Sequence, residues 1–300
     1  MRTRVIIHAI VLQAVLFSAL WFTTPTTVEA GSSRGRLPMI SSLAGSDVCD
    51  HIIGRSVSVA NGRSNYANVS PGDTVCIEAG SRNYLTLRNF QGTAEQPITF
   101  INFGGQVVVN GSNNTHGILF QNSRFFHLTG TGSEAIPYGI KIIYSLGHGV
   151  SIGYKSSDFE VDHVEVTGVV QIGISSGTKA VCSDGSSNDY DYDGDGTYQG
   201  DLDDVVNRSN FVQRNSVFHD NYIHQVGTEG FYVGSSYYSK EKQAACASGS
   251  ETMYDPVLNG VRIYDNRVEE VGWDGLQVGS ATAACIIRDN EIDGDSREAQ

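Results

Sequence analysis

The chain has 300 residues, with 20 Lys and Arg against 33 Asp and Glu, and a formal net charge of −13 at pH 7. A surface this acidic repels nucleic acid and anionic lipid, which removes both from the expected partners. It also repels a polyuronate unless a divalent cation bridges the like charges.

Residues 1–30 read as a secretory signal peptide: Arg2 and Arg4, an apolar run from Val5 to Phe22, then a polar stretch ending in Val28-Glu29-Ala30, with cleavage expected after Ala30. A signal anchor is the alternative, because the run approaches the ~18 apolar residues of a membrane span. No later segment is apolar enough to span a bilayer, so a secreted or cell-surface protein, monomeric, is expected. Five cysteines in an exported chain imply disulfides plus one odd thiol. Cys49 and Cys76 are the only two near the N-terminus and are expected to pair. Cys182 and Cys246 leave the repeat described below at similar places and form the second expected pair. Cys285 falls on a repeat position that is apolar elsewhere, which predicts a buried thiol or a missing partner.

From Gly149 onward the chain repeats. "EGFYVGSS" from Glu229 returns as "DGLQVGSA" from Asp274, a shift of 45 that also lays Ile223 on Val268 and Asn221 on Asn266. A shift of 24 lays Ile263 on Ile287 and Asn266 on Asn290, and the same interval separates Gly149 from Gly173; Gly230 follows Gly173 by 57. The unit is therefore about 24 residues, enlarged by insertions at 177–214 and 235–258. Short strands of Val, Ile and Phe with Gly, Asn and Asp at the corners predict a β-solenoid. Alternation predicts Val150, Ile174, Phe231 and Leu276 inward, and Ser151, Ser175, Tyr232 and Gln277 in an outward stripe. The Asn column reads as scaffold, since Asn suits left-handed turns and stacked amides bond along the axis. Gly230 and Gly275 are expected to serve the turn.

The stretch "VSPGDTVCIEAGSRNYLTLRNFQGTAEQPITFINFGGQVVVNG", with the repeats after it, resembles the right-handed parallel β-helix (pectate-lyase-like) family of secreted, polysaccharide-active proteins. The resemblance implies an all-β, single-stranded right-handed parallel β-helix over 98–300, preceded by an N-terminal capping segment at 31–97. The chain stops within a coil, which leads to the expectation that the helix is C-terminally incomplete.

Several groups are candidates for chemistry. Asp191, Asp193, Asp195, the Thr197 carbonyl and Asp201 resemble a calcium loop of the EF-hand or dockerin kind, although Leu202 stands where a bidentate acid belongs. Ca²⁺ is the expected cofactor. "GHGVSIG" resembles the Gly-His-Gly element of polygalacturonases, but that family's paired aspartates and Arg-x-Lys are absent, so His148 reads as a turn residue. His219 and His224 flank Asn221, and alternation is expected to scatter them over different faces. Glu229 and Asp274 hold one place in successive units, where Ile172 shows that packing needs no acid; they are the candidate catalytic pair. Tyr232, Trp273 and Gln277 beside them suit a sugar. The expected function is cleavage of an extracellular polysaccharide. In a lyase, calcium offsets a uronate carboxylate; in a glycosidase, Glu229 and Asp274 are acid and base. The alternative is a non-catalytic carbohydrate-binding or adhesion module.

Overall fold

The computed structural model describes residues 48–186, 195–197, 200–239 and 242–294. Contacts divide the chain into units 1–43 and 44–300, and all described residues lie in the second; the signal peptide expected at 1–30 lies outside them. The described residues form strands and turns with no helix, and hence none that is long and apolar enough to cross a membrane.

Alternation sets the strands. In Ser157–Asp162 the apolar Phe159 and Val161 are buried toward the core, while Glu160 and Asp162 take the opposite face. Among the described residues every strand pairing is parallel except one hairpin, Lys242–Cys246 with Gly249–Met253.

The largest sheet has two arms joined through the long strand Ile98–Gly111. The first arm runs through Arg124–Thr129, Ser157–Asp162, Ser216–His219, Arg262–Tyr264 and Ile286–Arg288. The second runs through Ile140–Ser145, Val164–Thr167, Tyr222–His224, Arg267–Glu269 and Glu291–Asp293. A seven-stranded sheet holds Val59–Asn61, Leu85–Arg88, His116–Gln121, His148–Gly153, Ile174–Gly177, Phe231–Val233 and Leu276–Val278. From Arg124 onward the chain visits first arm, second arm and seven-stranded sheet in that order on each pass. The register follows the sequence shifts: Val150 faces Ile174, Ile174 faces Phe231, Phe231 faces Leu276, and Ile263 faces Ile287.

Inward side chains form a continuous core. Phe120 stacks on Phe126 at 4.1 Å between ring centroids, and Phe159, Phe218 and Phe231 continue the file at 5.4–5.7 Å. Each buried ring contributes about 3 kcal/mol relative to an exposed one.

Corners between the two arms depend on local chemistry. His163, Asp220, Asp265 and Asp289 sit there with φ of 51–53°, in the left-handed region. The asparagines that follow form a ladder: Asn266 Oδ1 accepts from the Asn221 backbone N–H at 3.1 Å and from its Nδ2 at 3.0 Å, and Asn290 Oδ1 does the same for Asn266. Gly230 and Gly275 serve differently from the expectation. Neither has a positive φ; a Cβ on Gly230 would lie 2.5 Å from the Gly275 carbonyl oxygen, and one on Gly173 would lie 2.6 Å from that of Gly230. Close stacking, rather than turn geometry, demands the glycine.

Cys49–Cys76 and Cys182–Cys246 are disulfides. The second joins the two long insertions, and around it Ser183 N–H and Oγ both donate to Glu251 at 2.9 Å. Cys285, expected to be a buried thiol or one lacking its partner, is an exposed free thiol. Its register partner position, Val261, is fully buried by the next pass, whereas no described strand covers Cys285.

Candidate functional site

Five residues occupy one place at the N-terminal edge of successive strands in the seven-stranded sheet: His116, His148, Ile172, Glu229 and Asp274. Backbone bonds fix the column, with Gly149 N–H donating to Ile172 O at 3.0 Å, Gly173 N–H to Glu229 O at 2.9 Å and Gly230 N–H to Asp274 O at 3.0 Å; His116 pairs with His148. The doubled acid-glycine motif therefore lies on adjacent strands. The two acids differ in setting: Glu229 is 5% exposed, while Asp274 faces solvent. The Glu229 carboxylate has no hydrogen bond or ion pair with another described residue.

Thr86, Leu119, Ser151, Ser175, Tyr232 and Gln277 are in register across six strands, but Ser151 and Ser175, expected in an outward stripe, are buried at 7% and 6% exposure, so the stripe meets solvent only toward its two ends. Tyr232 OH lies 3.0 Å from Ser236 Oγ, to which Gln277 Nε2 also donates. Trp273, 51% exposed, flanks Asp274. A shallow cavity of about 90 Å³ opens at the other end of the stripe among Tyr84, Thr86, His116 and Leu119.

His148 departs from the expectation of a turn residue. It begins the strand His148–Gly153, and its Nδ1 lies 2.7 Å from Ser175 Oγ, which in turn donates to Ser151 Oγ at 3.1 Å. Burial, with smaller contributions from the His116 and Lys179 charges, pushes His148 down to about 4; burial does the same to His116. Both imidazoles are neutral at pH 7, and their rings meet edge to face at 5.4 Å. Because the Ser175 hydroxyl proton goes to Ser151, His148 Nδ1 is the donor to Ser175 and its lone pair is on Nε2.

In the acidic insertion, Asp191 and Asp193 lie outside the described residues. Asp195 Oδ1 accepts the Thr197 N–H at 2.7 Å, and Asp201 Oδ1 accepts the Asp203 N–H at 2.9 Å. The second oxygen, Asp201 Oδ2, is buried without a hydrogen-bond partner.

A second cluster escaped the sequence reading. His219 and His224 lie on different arms because the corner at Asp220, not alternation within one strand, separates them, and each meets acids from neighbouring passes. His224 Nε2 lies 3.0 Å from Glu165 Oε1, which also pairs with Lys141 Nζ at 2.7 Å. On the first arm, His219 Nε2 is 2.6 Å from Glu160 Oε1, and His127 Nε2 bonds Asp162 Oδ2. The hydrogen bond to Glu160, aided by Asp220 and Asp162, raises His219 to about 9. The signal available in the sequence was the shared alternation of "RFFHLTG" and "DFEVDHVEVTG".

No protein-family model matches the chain, and no curated protein matches it. Among solved structures it is similar to the crystal structure of an alginate lyase from Paenibacillus sp. str. FPU-7, with 17% identity over 80% of this chain and 75% of that one and a TM-score of 0.34. At that score the likeness transfers neither residues nor activity.

Proposed function

We propose that the chain is a secreted right-handed parallel β-helix that binds an extracellular polysaccharide along the solvent face of the seven-stranded sheet and cleaves it, as a lyase or a glycosidase. One observation carries this reading: Tyr232 and Gln277, and beside them Glu229 and Asp274, stand in register on adjacent strands. Strands repeat every ~4.8 Å, so such pairs are spaced at regular steps along a polymer lying across the strands. Glu229, at 5% exposure, is the acid or base on this reading, with Asp274 its partner one strand away. His148 is the alternative proton acceptor, roughly 10 Å from Glu229 as two strand spacings. Tyr232, Trp273 and Gln277 contact sugar. The two disulfides fit an oxidising, extracellular compartment.

Calcium in the acidic insertion is the proposed cofactor, held by Asp191, Asp193, Asp195, the Thr197 carbonyl and Asp201. The unpaired, buried Asp201 Oδ2 supports it.

A non-catalytic binding module is the second reading, favoured by how shallow the face is and by the exposed Trp273, Tyr237 and Tyr238. A panel of polysaccharides, followed by both unsaturated-product absorbance and reducing ends, separates the two. Cleavage is expected from the native chain and none from Glu229→Gln or Asp274→Asn, with folding intact. Full cleavage by both variants would remove the acids from the mechanism, and binding without any product would favour the module.

A further inference from the structure

The first arm carries four donors from three consecutive strands on its solvent face. Register places His127 opposite Glu160, and Asp162 opposite both Thr129 and His219. Alternation then puts His127, Glu160, Asp162 and His219 on one side of the sheet. One donor atom each from His127, Glu160 and Asp162 lie within 4.8 Å of one another, and His219 Nε2 is 2.6 Å from Glu160 and 3.9 Å from Asp162.

Outer contacts aim these atoms inward. The far nitrogen of His219, Nδ1, is held by Asp220 Oδ2 at 2.6 Å, so Nε2 faces the cluster. The far oxygen of Asp162, Oδ1, accepts from Thr129 Oγ1 at 2.6 Å and lies 2.6 Å from His163 Nδ1, so Oδ2 faces the cluster. A carboxylate behind a ligating histidine, and hydrogen bonds behind a ligating carboxylate, are how metal ligands are oriented. Asp162 is buried, whereas Glu160 and His127 border solvent, which leaves a path for a cation to enter.

We infer that His127, Glu160, Asp162 and His219 form a binding site for a divalent cation of the zinc type, joining three consecutive strands of the first arm. Two imidazoles with two carboxylates suit borderline cations such as Zn²⁺ or Co²⁺ better than Ca²⁺, which takes oxygen ligands. Donors at about 2.1 Å from a tetrahedral cation stand roughly 3.4 Å apart; His127, Glu160 and Asp162, within 4.8 Å of one another, are near that spacing, and His219 joins them by turning from Glu160. On binding, the proton bridging His219 Nε2 and Glu160 leaves to solvent, and the Nε2 lone pair takes the cation.

The site is tested by titrating metal-stripped protein with Co²⁺, following its visible d–d absorbance and the melting temperature. One saturable equivalent, a higher melting temperature and displacement by Zn²⁺ but not Ca²⁺ are expected. His127→Gln and His219→Gln should abolish the band, Asp220→Asn should weaken binding by about 10–100-fold, and His224→Gln on the second arm should leave it unchanged. Should a histidine variant fail to fold, Glu160→Gln at the solvent edge replaces it and should also weaken binding. Absence of a saturable band, or a band that survives in folded His127→Gln and His219→Gln, would overturn the assignment.

Discussion

His116 and His148 show how one residue type can serve the site at a cost to acid stability. Both are pushed to about 4 in the folded chain, against about 6.5 when unfolded. Between these values the unfolded state binds more protons, so stability falls as pH falls from 6.5 toward 4 and is unaffected above 6.5. Thermal melts from pH 7 to pH 4.5 should show this loss, and His116→Asn with His148→Asn should flatten it; parallel profiles would contradict it. Gly230 makes the complementary case from packing. A methyl group there meets backbone at 2.5 Å and Val268 Cγ1 at 2.6 Å, neither of which can rotate away, so Gly230→Ala should cost about 3 kcal/mol in denaturant unfolding. The sequence showed that this glycine recurs. It did not show why, because the reason lies in the next pass of the chain.

At the scale of elements, the Asn ladder and the insertion disulfide do separate jobs. Asn266→Ala leaves the buried Asn221 backbone N–H without its acceptor and removes the donor to Phe218 O at 3.0 Å. A loss of about 3 kcal/mol is expected from unfolding curves, against well under 1 kcal/mol for a ladder that is decorative. The Cys182–Cys246 bond closes 64 residues, worth about 4 kcal/mol if the constraint acts on the unfolded chain. Non-reduced peptide mapping should recover that pair, and recovery of Cys246 joined to Cys285 would contradict it. Strand register and the ladder were legible because each depends on matching places in successive repeats, and the pairings because Cys49 and Cys76 stand alone near the N-terminus while Cys182 and Cys246 leave the repeat at similar places. The His219–Glu160 contact was not, since the insertion at 177–214 separates its two residues, and neither was the His127–Asp162 contact. Before Gly149 the aligned strands share alternation but few identical residues.

At the scale of the whole molecule, the net charge of −13 sets the terms of any encounter with an acidic polymer. On the proposed reading a bridging cation would take part in binding as well as in folding. Chelation should lower the melting temperature, and Asp193→Ala with Asp195→Ala should remove the response to Ca²⁺ while leaving the response to Co²⁺ intact; a melt indifferent to chelator would dismiss both cations. The parallel all-β architecture was readable from periodicity, because a core file of Phe, Ile and Val needs a side chain every second residue. The proposed face was only partly readable: Ser175, Tyr232 and Gln277 fell on one repeat position and Glu229 and Asp274 on another, whereas His148 met Ser175 through a hydrogen bond between passes.

Hydroxyl-radical footprinting of the chain with a polysaccharide that it binds tests the central claim most directly, because it reports side-chain cover on every face at once. Protection of Tyr84, His116, His148, Tyr232 and Trp273, with Tyr222 and Tyr264 on the other arms unchanged, is the expected result. Protection confined to Tyr222 or Tyr264 would place the polysaccharide elsewhere and contradict the assignment of the seven-stranded face.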